Sequence, residues 1–465
     1  MACITDEGFK EECGVFGICA PGMDVAYLTY LGLFALQHRG QQGCGMAVWK
    51  DGDINFYKKL GLVNDVFKED VLKTLPGSVA IGHTLYASKG ATSELNTQPI
   101  VANYYQGEFA LVNNGSLLNA EELGKELART GSLFQTTSDA EILCNLLARY
   151  AENSLDVALA KAMDKMIGSY SLVTMTDGKV YAARDPYGNH PLCLGKLPDG
   201  AGYVVASESC SLDTVGAEFI RDVKPGEIIC IDGDGIHTMA IKSAEHPAHC
   251  IFEYVYFARP DSTIDGVNVN QSRRRMGSIL ARETGVLDVD IVIPVPDSGT
   301  TAAIGYAEAC GKPFTQGILK NRYTTRTFIQ PTQEMRERMV SLKLSPIRDE
   351  IKGKKVAVVD DSIVRGTTSK RLVALLRERG AKEVHVLITC PPVLYPCYYG
   401  IDTAERDKLI AVNRTLEEIR DYINADSVHY ISLDGLYEAV GGKNDYCAAC
   451  LNGEYCLGVP ACKCK

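Results

Sequence analysis

The stretch from Val356 to Ser369 constrains this chain more than any other. Val356-Ala357-Val358-Val359 is an unbroken apolar run, the pattern of a strand buried on both faces, and Asp360 and Asp361 fall at its carboxyl end. Open α/β sheets place ligands at that end of their strands. Gly366 then permits close backbone approach, and Thr367, Thr368 and Ser369 bring hydroxyls and amides to the start of a helix, a ready anion site. Leu372, Leu375 and Leu376 face the core from that helix, and Gly380 stops it.

The sequence around this stretch has the same character. From Val289 onward strands at 291–295, 356–360 and 384–389 alternate with helices at about 300–310 and 368–379, which predicts βαβ units around a parallel sheet. Before about residue 245 the texture is α+β, with short apolar strands at 77–81, 109–113, 170–175 and 203–206. Asn119 with Glu122 and Ser138 with Glu141 predict capped helices running towards Arg129 and Tyr150. At roughly 100–200 residues per domain, a chain of 465 residues holds more than one, and the change of texture divides it near residue 245.

Composition narrows the partners. Apolar residues make up 46% and charged residues 23%, an ordinary globular balance, and the net charge of -10 gives no footprint for nucleic acid or an anionic membrane. The first twelve residues carry Asp6, Glu7, Glu11 and Glu12 and no apolar run, unlike a secretory signal, and no stretch approaches about 18 apolar residues. A cytoplasmic protein is expected. Its 17 cysteines then call for buried thiols, a nucleophile or a metal centre rather than disulfides. Cys3, Cys19, Cys44, Cys144, Cys193, Cys210, Cys230, Cys310 and Cys390 read as small buried hydrophobes.

The Asp-Asp and Gly-Thr-Thr loop resembles the signature of the type I phosphoribosyltransferases. That resemblance implies that Asp360 and Asp361 serve Mg²⁺ and the ribose hydroxyls, and that Arg365, Gly366, Thr367, Thr368 and Ser369 wrap the 5-phosphate of phosphoribosyl pyrophosphate (PRPP). Pro294 to Thr300 again ends a strand and opens a helix, as the family's pyrophosphate loop does, and Ser298 would complete the Mg²⁺ site. Lys320-Asn321-Arg322-Tyr323, continuing to Phe328, is similar to the basic flap that closes over PRPP, with Lys320, Arg322 and Tyr323 as substrate contacts.

At the front, Glu11-Glu12-Cys13-Gly14-Val15-Phe16 places a cysteine before a short strand. With Gln37-His38-Arg39-Gly40-Gln41, Asn114-Gly115 and Ser138-Asp139, it resembles the N-terminal-nucleophile (Ntn) glutamine amidotransferase domain. The pairing of that α+β Ntn hydrolase domain with an α/β phosphoribosyltransferase domain identifies the chain as similar to the amidophosphoribosyltransferases over nearly its whole length. The resemblance implies a propeptide 1–12, an amidotransferase domain 13–245 and a phosphoribosyltransferase domain 246–465. It also implies Cys13 as nucleophile, Asn114 and Gly115 as oxyanion donors, Asp139 as acceptor of the glutamine α-ammonium, and Arg39 and Gly40 as shapers of the pocket. A freed α-amino group, with an ordinary pKa near about 7.7–8.0, would serve as the base. Homotetramer assembly and feedback inhibition by nucleotides of the AMP and GMP type come with the family.

Cys447-Ala448-Ala449-Cys450 suits thiolate coordination, with Cys456, Cys462 and Cys464 close behind, so a Zn²⁺ site built from the tail is one reading. Resemblance to the iron-sulfur-containing branch implies another, in which Cys250, Cys397, Cys447 and Cys450 hold a 4Fe-4S cluster. The chain also departs from the family pattern. His83-Thr84-Leu85-Tyr86 has leucine where most relatives carry the arginine that clamps the glutamine α-carboxylate, Gln42-Gly43-Cys44 lacks an acidic residue, and His190 replaces an arginine. Leucine cannot imitate a bidentate arginine. Arg39 is one candidate substitute; a divergent paralogue using free ammonia is the first alternative, and a non-catalytic PRPP-sensing regulator the second.

Overall fold

The computed structural model describes residues 13–86, 93–151, 154–321, 344–401, 403, 405–442 and 445–460. Gly14–Cys19 is the central strand of a seven-stranded sheet, antiparallel to Tyr203–Ala206 on one side and Val79–Leu85 on the other. Its side chains point alternately to two apolar layers. Val15 and Cys19 meet Val112, Val173 and Ala182 of a six-stranded sheet stacked face to face, while Phe16 and Ile18 pack with Val25 and Leu33 of the helix Val25–Ala35. A strand covered on both faces needs no polar alternation. Helices Ala120–Arg129, Asp139–Tyr150 and Leu155–Met163 cover the outer face of the six-stranded sheet, with Leu123, Leu143 and Leu159 in one core. The result is a four-layer αββα arrangement, and Gly107–Leu117 runs through its second sheet beside Gly168–Thr176.

The second half is built on a four-stranded parallel sheet in the order Ile291–Pro294, Lys355–Asp360, Glu383–Ile388, Ser427–Tyr430. Helices Val269–Thr284 and Gly299–Cys310 cross in direct backbone contact. A Cβ on Gly277 would lie 1.9 Å from the Ala302 carbonyl oxygen, and one on Gly305 would lie 2.0 Å from that of Arg274. His249–Cys250 pairs in parallel with Tyr446–Cys447, tying the junction between the halves to the C-terminal segment. A π-helix, Glu253–Phe257, follows at once.

Three local expectations need correction. Neither capping pair closes as a box. Asn119 accepts from the Ile167 amide and donates to the Lys165 carbonyl, while Glu141 turns back onto the amides of Gln135 and Thr136. Ser138 does accept from Ala140, but the acidic partner is taken by the preceding loop, a tertiary use that spacing does not reveal. The strand expected at 77–81 runs as Val79–Leu85, with Gly77 lying against the Trp49 backbone. Of the cysteines read as buried, Cys310 is only half-buried, and Cys3 lies outside the described residues. Among the described residues, no helix is long and apolar enough to cross a membrane.

Candidate functional site

Cys13 sits just before the central strand of the first half. Its sulfur receives the Tyr86 amide at 3.4 Å and lies 3.5 Å from the Tyr86 carbonyl oxygen. Asn114 and Gly115 lie in the strand Gly107–Leu117, opposite Ser171 and Tyr170. Asn114 is 1% exposed, and its side-chain Nδ2 has no hydrogen-bond partner among the described residues, an orphaned donor of the kind that native interiors rarely keep without a ligand. Gly115 has φ of 139°, and a Cβ there would strike the Ser169 carbonyl oxygen at 2.1 Å, so only glycine fits. Neighbouring residues that sequence reasoning did not single out brace this part of the strand. Gln98 accepts from the Asn113 amide at 2.6 Å, and His83 meets the Asn113 carbonyl at 3.2 Å. Burial pulls the His83 pKa down to about 3, so the ring is neutral. Asp139, the first residue of its helix, accepts the Leu117 amide at 2.8 Å and is thereby tied to the same strand.

Arg39 occupies a different place from the one expected. It is 1% exposed, paired with Glu208 at 2.6 Å and Glu253 at 2.5 Å, and its Nε donates to the Cys13 carbonyl at 3.2 Å. Reaching a substrate carboxylate would strand two buried glutamates, so Arg39 is not the substitute for the missing clamp. Burial would raise the Glu208 carboxyl, but His38 and Arg39 beside it hold it well below the usual range. Gly40 does line the segment that carries Leu85: a Cβ there would be 2.5 Å from the Thr84 carbonyl.

In the second half, adjacent parallel strands bring the two predicted loops together, with Pro294 opposite Val359. Ser298 donates its hydroxyl to Asp361, Ser362 donates to the other carboxylate oxygen at 2.5 Å, and the Asp361 amide donates to Asp360 at 2.9 Å. Burial and the Asp361 charge push the Asp360 carboxyl well above its ordinary range. Burial also raises that of Asp361, against the pull of the Ser298 and Ser362 hydroxyls and Arg273. Two adjacent carboxylates so placed favour a proton or a divalent cation between them. Gly366, at φ of 79°, opens the helix Thr367–Glu378, and the Thr367 hydroxyl is buried with no partner among the described residues. Arg365 and Thr368 flank it, and Ser369 is buried in the first turn. Lys320 donates to Asp297 at 2.6 Å and so touches the loop that carries Ser298, whereas Arg322 and Tyr323 lie outside the described residues, as do positions 1–12.

Cys250, Cys397, Cys447 and Cys450 line one small, largely enclosed cavity between the halves, together with Asn189, Tyr399 and Tyr455. The hydrogen bond with the Cys456 thiol and burial hold Cys447 well above the ordinary thiol range, burial and the nearby Cys397 do the same for Cys450, and Cys397 accepts the Tyr399 amide at 3.3 Å. Among the described residues no three His, Cys, Asp or Glu side chains converge as a single ion requires. One Zn²⁺ at about 2.3 Å from each sulfur needs a tight tetrahedron, whereas Cys447 meets the Cys456 thiol of the tail and also shares the cavity with Cys250 and Cys397. Four thiols spread around one cavity fit a larger, multi-atom group. Cys456 is exposed, and Cys462 and Cys464 lie outside the described residues.

Two family models match the chain: a glutamine amidotransferase domain over residues 86–214 and a phosphoribosyl transferase domain over residues 278–424. An amidophosphoribosyltransferase of Methanocaldococcus jannaschii is 47% identical, over 95% of this chain and 97% of that protein. Its counterpart in Bacillus subtilis is 44% identical, over 97% of this chain and 95% of that protein. The solved structure of glutamine PRPP amidotransferase from B. subtilis, complexed with ADP and GMP, superposes with a TM-score of 0.89 at 44% identity, over 95% of this chain and 97% of that one. Similarity that runs unbroken through both sheets, both loops and the junction places this chain in the amidophosphoribosyltransferase family, whose members are glutamine-dependent pentosyltransferases.

Proposed function

We propose that Cys13, freed of residues 1–12, attacks the side-chain amide of glutamine, its own α-amino group taking the thiol proton. The tetrahedral oxyanion that forms is met by Asn114 Nδ2 and the Gly115 N–H; its collapse breaks the C–N bond as the Cys13 α-ammonium returns its proton to the leaving nitrogen, which departs as ammonia, and water then hydrolyses the resulting thioester to glutamate. Asp139, oriented by the Leu117 amide, receives the glutamine α-ammonium, and Gly40 lets the backbone close over the pocket. The released ammonia displaces pyrophosphate from carbon 1 of PRPP, the C–N bond forming as the C–O bond breaks, to give 5-phosphoribosylamine for purine synthesis. The domains that divide this work are 13–245 and 246–465. The observation that carries the reading is the orphaned Asn114 Nδ2 beside a glycine that no other residue can replace.

Ser298, Asp360 and Asp361 would hold Mg²⁺, which when bound neutralises charge on the leaving pyrophosphate oxygens. Gly366, Thr367, Thr368 and Ser369 offer amides and hydroxyls to the 5-phosphate, and Lys320, Arg322, Tyr323 and Arg365 add positive charge and cover. Cys250, Cys397, Cys447 and Cys450 fit a 4Fe-4S cluster, which would bind the C-terminal segment to the junction. The B. subtilis relative was solved with ADP and GMP, which supports purine nucleotides as feedback ligands here. A cytoplasmic homotetramer completes the reading. Neither alternative, ammonia-only use or a PRPP-sensing regulator, is favoured by the amidophosphoribosyltransferases of M. jannaschii and Archaeoglobus fulgidus that this chain resembles.

The test is PRPP-dependent pyrophosphate release by anaerobically purified protein, with glutamine or with ammonium, alongside intact mass and iron and sulfide content. Activity with both donors, a mass lacking residues 1–12 and four irons per chain are expected. Activity with ammonium alone would overturn the Cys13 reading, and silence with both donors would overturn the enzyme reading.

A further inference from the structure

We infer that Glu253, contributed by the second half of the chain, is a positioning residue for the glutamine half-reaction and acts on Cys13 through Arg39. The inference rests on the reading of Cys13 as the nucleophile. The Arg39 guanidinium is a rigid, planar fork, so whatever fixes its two terminal nitrogens also fixes where Nε points. Glu253 holds both: Nη1 donates to one carboxylate oxygen at 3.0 Å and Nη2 to the other at 2.5 Å. Nε is thereby aimed at the Cys13 carbonyl, 3.2 Å away, on the residue whose sulfur and α-nitrogen perform the chemistry.

Glu208 does not duplicate this role. It meets Arg39 through Oε1 alone, an oxygen it shares with His38 Nε2 at 2.7 Å, and its Oε2 is occupied by the Ser262 hydroxyl at 2.7 Å and the Arg259 amide at 2.9 Å. Glu208 supplies countercharge; Glu253 supplies orientation. Glu253 is itself only 1% exposed and opens the π-helix, an element found disproportionately at functional sites. Arg273 clamps that turn from the helix Val269–Thr284, donating to the Tyr254 carbonyl at 2.8 Å and the Ala258 carbonyl at 2.9 Å. The nucleophile of the first half is therefore aligned by a carboxylate whose backbone is anchored in the second half, 214 positions further along the chain from Arg39.

The experiment uses the full-length enzyme and two variants: Glu253→Gln, which keeps the shape and removes the charge, and Glu253→Asp, which keeps the charge and shortens the reach. The expected result is a fall of at least tenfold in kcat with glutamine for both variants. The glutamine KM should stay within twofold, ammonium-driven pyrophosphate release should stay within twofold, and Cys13 alkylation by iodoacetamide, read by peptide mass, should slow in parallel. Equal losses with glutamine and ammonium would mark a merely structural ion pair and overturn the inference. So would unchanged kcat, or a rise confined to the glutamine KM. The wild-type enzyme in the same series separates this inference from the one beneath it, because a wild type that ignores glutamine overturns the nucleophile reading itself.

Discussion

The two sites of this molecule handle buried charge in opposite ways. Around Cys13, the buried Arg39 is matched by the buried Glu208 and Glu253 in a network that also receives the half-buried His38 and the buried Ser262. Around Asp361, the carboxylates are held by hydroxyls and a backbone amide, and no ion pair to either is present among the described residues. The first network is complete without a ligand. The second is built so that a cation improves it, because a buried Asp361 beside a half-buried Asp360 is costly until their charge is met. On the proposed reading the contrast has a purpose: a site that holds a nucleophile steady can be closed in advance, whereas one that binds and releases a metal-bound substrate stays electrostatically unfinished.

The largest effect that would break this comparison is expected from Cys13→Ala. Glutamine-dependent turnover should fall by about 10⁴-fold or more, as for the loss of a nucleophile, while ammonium-driven release of pyrophosphate persists. Loss of both activities would mean that the sites are not separable. Next is Asn114→Ala, which removes one proposed oxyanion donor. A drop of roughly 10²–10³ in kcat with glutamine is expected, with the ammonium reaction again spared.

A pH series of Mg²⁺ affinity probes the unfinished site. Because burial and mutual repulsion raise the Asp360 and Asp361 pKa values, these groups keep a proton over a pH range in which free aspartates have lost it. Mg²⁺ must displace that proton, so affinity should weaken by up to about tenfold for each pH unit below the raised values. Without Mg²⁺, the same shift makes the fold less stable as pH rises from the ordinary aspartate range through the raised one. Calorimetry with and without the cation reads both effects, and an affinity flat with pH would remove the electrostatic contrast.

The smallest expected effects come from a matched glycine pair. Gly115→Ala and Gly366→Ala each force a side chain into positive φ, which costs roughly 1–2 kcal/mol in the left-handed region that Gly366 occupies and more at the φ of 139° of Gly115. Gly115→Ala also meets the fixed Ser169 carbonyl, whereas Gly366→Ala meets the movable end of Ile410 at 2.5 Å. Denaturant midpoints should therefore show Gly115→Ala as the more destabilised; the reverse order would show the Gly115 strand to be the softer of the two.

Much of the second site was legible because its parts are consecutive. Apolar run, acidic pair, glycine and hydroxyls stand in the order strand, exit, turn and helix start, and the observed elements Lys355–Asp360 and Thr367–Glu378 fall within a residue of the expected ones. The pieces of the proposed front site, Cys13, Asn114 and Gly115, were legible only through the family resemblance, and its supports not at all. His83, Gln98 and Glu208 carry no local signal, since a buried histidine or glutamate is recognisable only from what surrounds it. Arg39 was placed at the substrate for the same reason: spacing puts it near Cys13 without showing that two glutamates consume its charge.

Apart from the nucleophile and the four cysteines, which the family resemblance implied, the sequence alone supplied the α+β and α/β halves, the anion-binding loop and the acidic pair. These depend on hydrophobic period, turn chemistry and short-range order, which a few neighbouring residues determine. The tertiary structure decided which distant residues meet. It set Cys250 beside Cys447 through a parallel strand pair, put the Tyr399 carbonyl on His190, and delivered Glu253 to Arg39. Such contacts arise only when sheets and helices pack into one interior, where each buried charge or amide must find its partner wherever along the chain it lies.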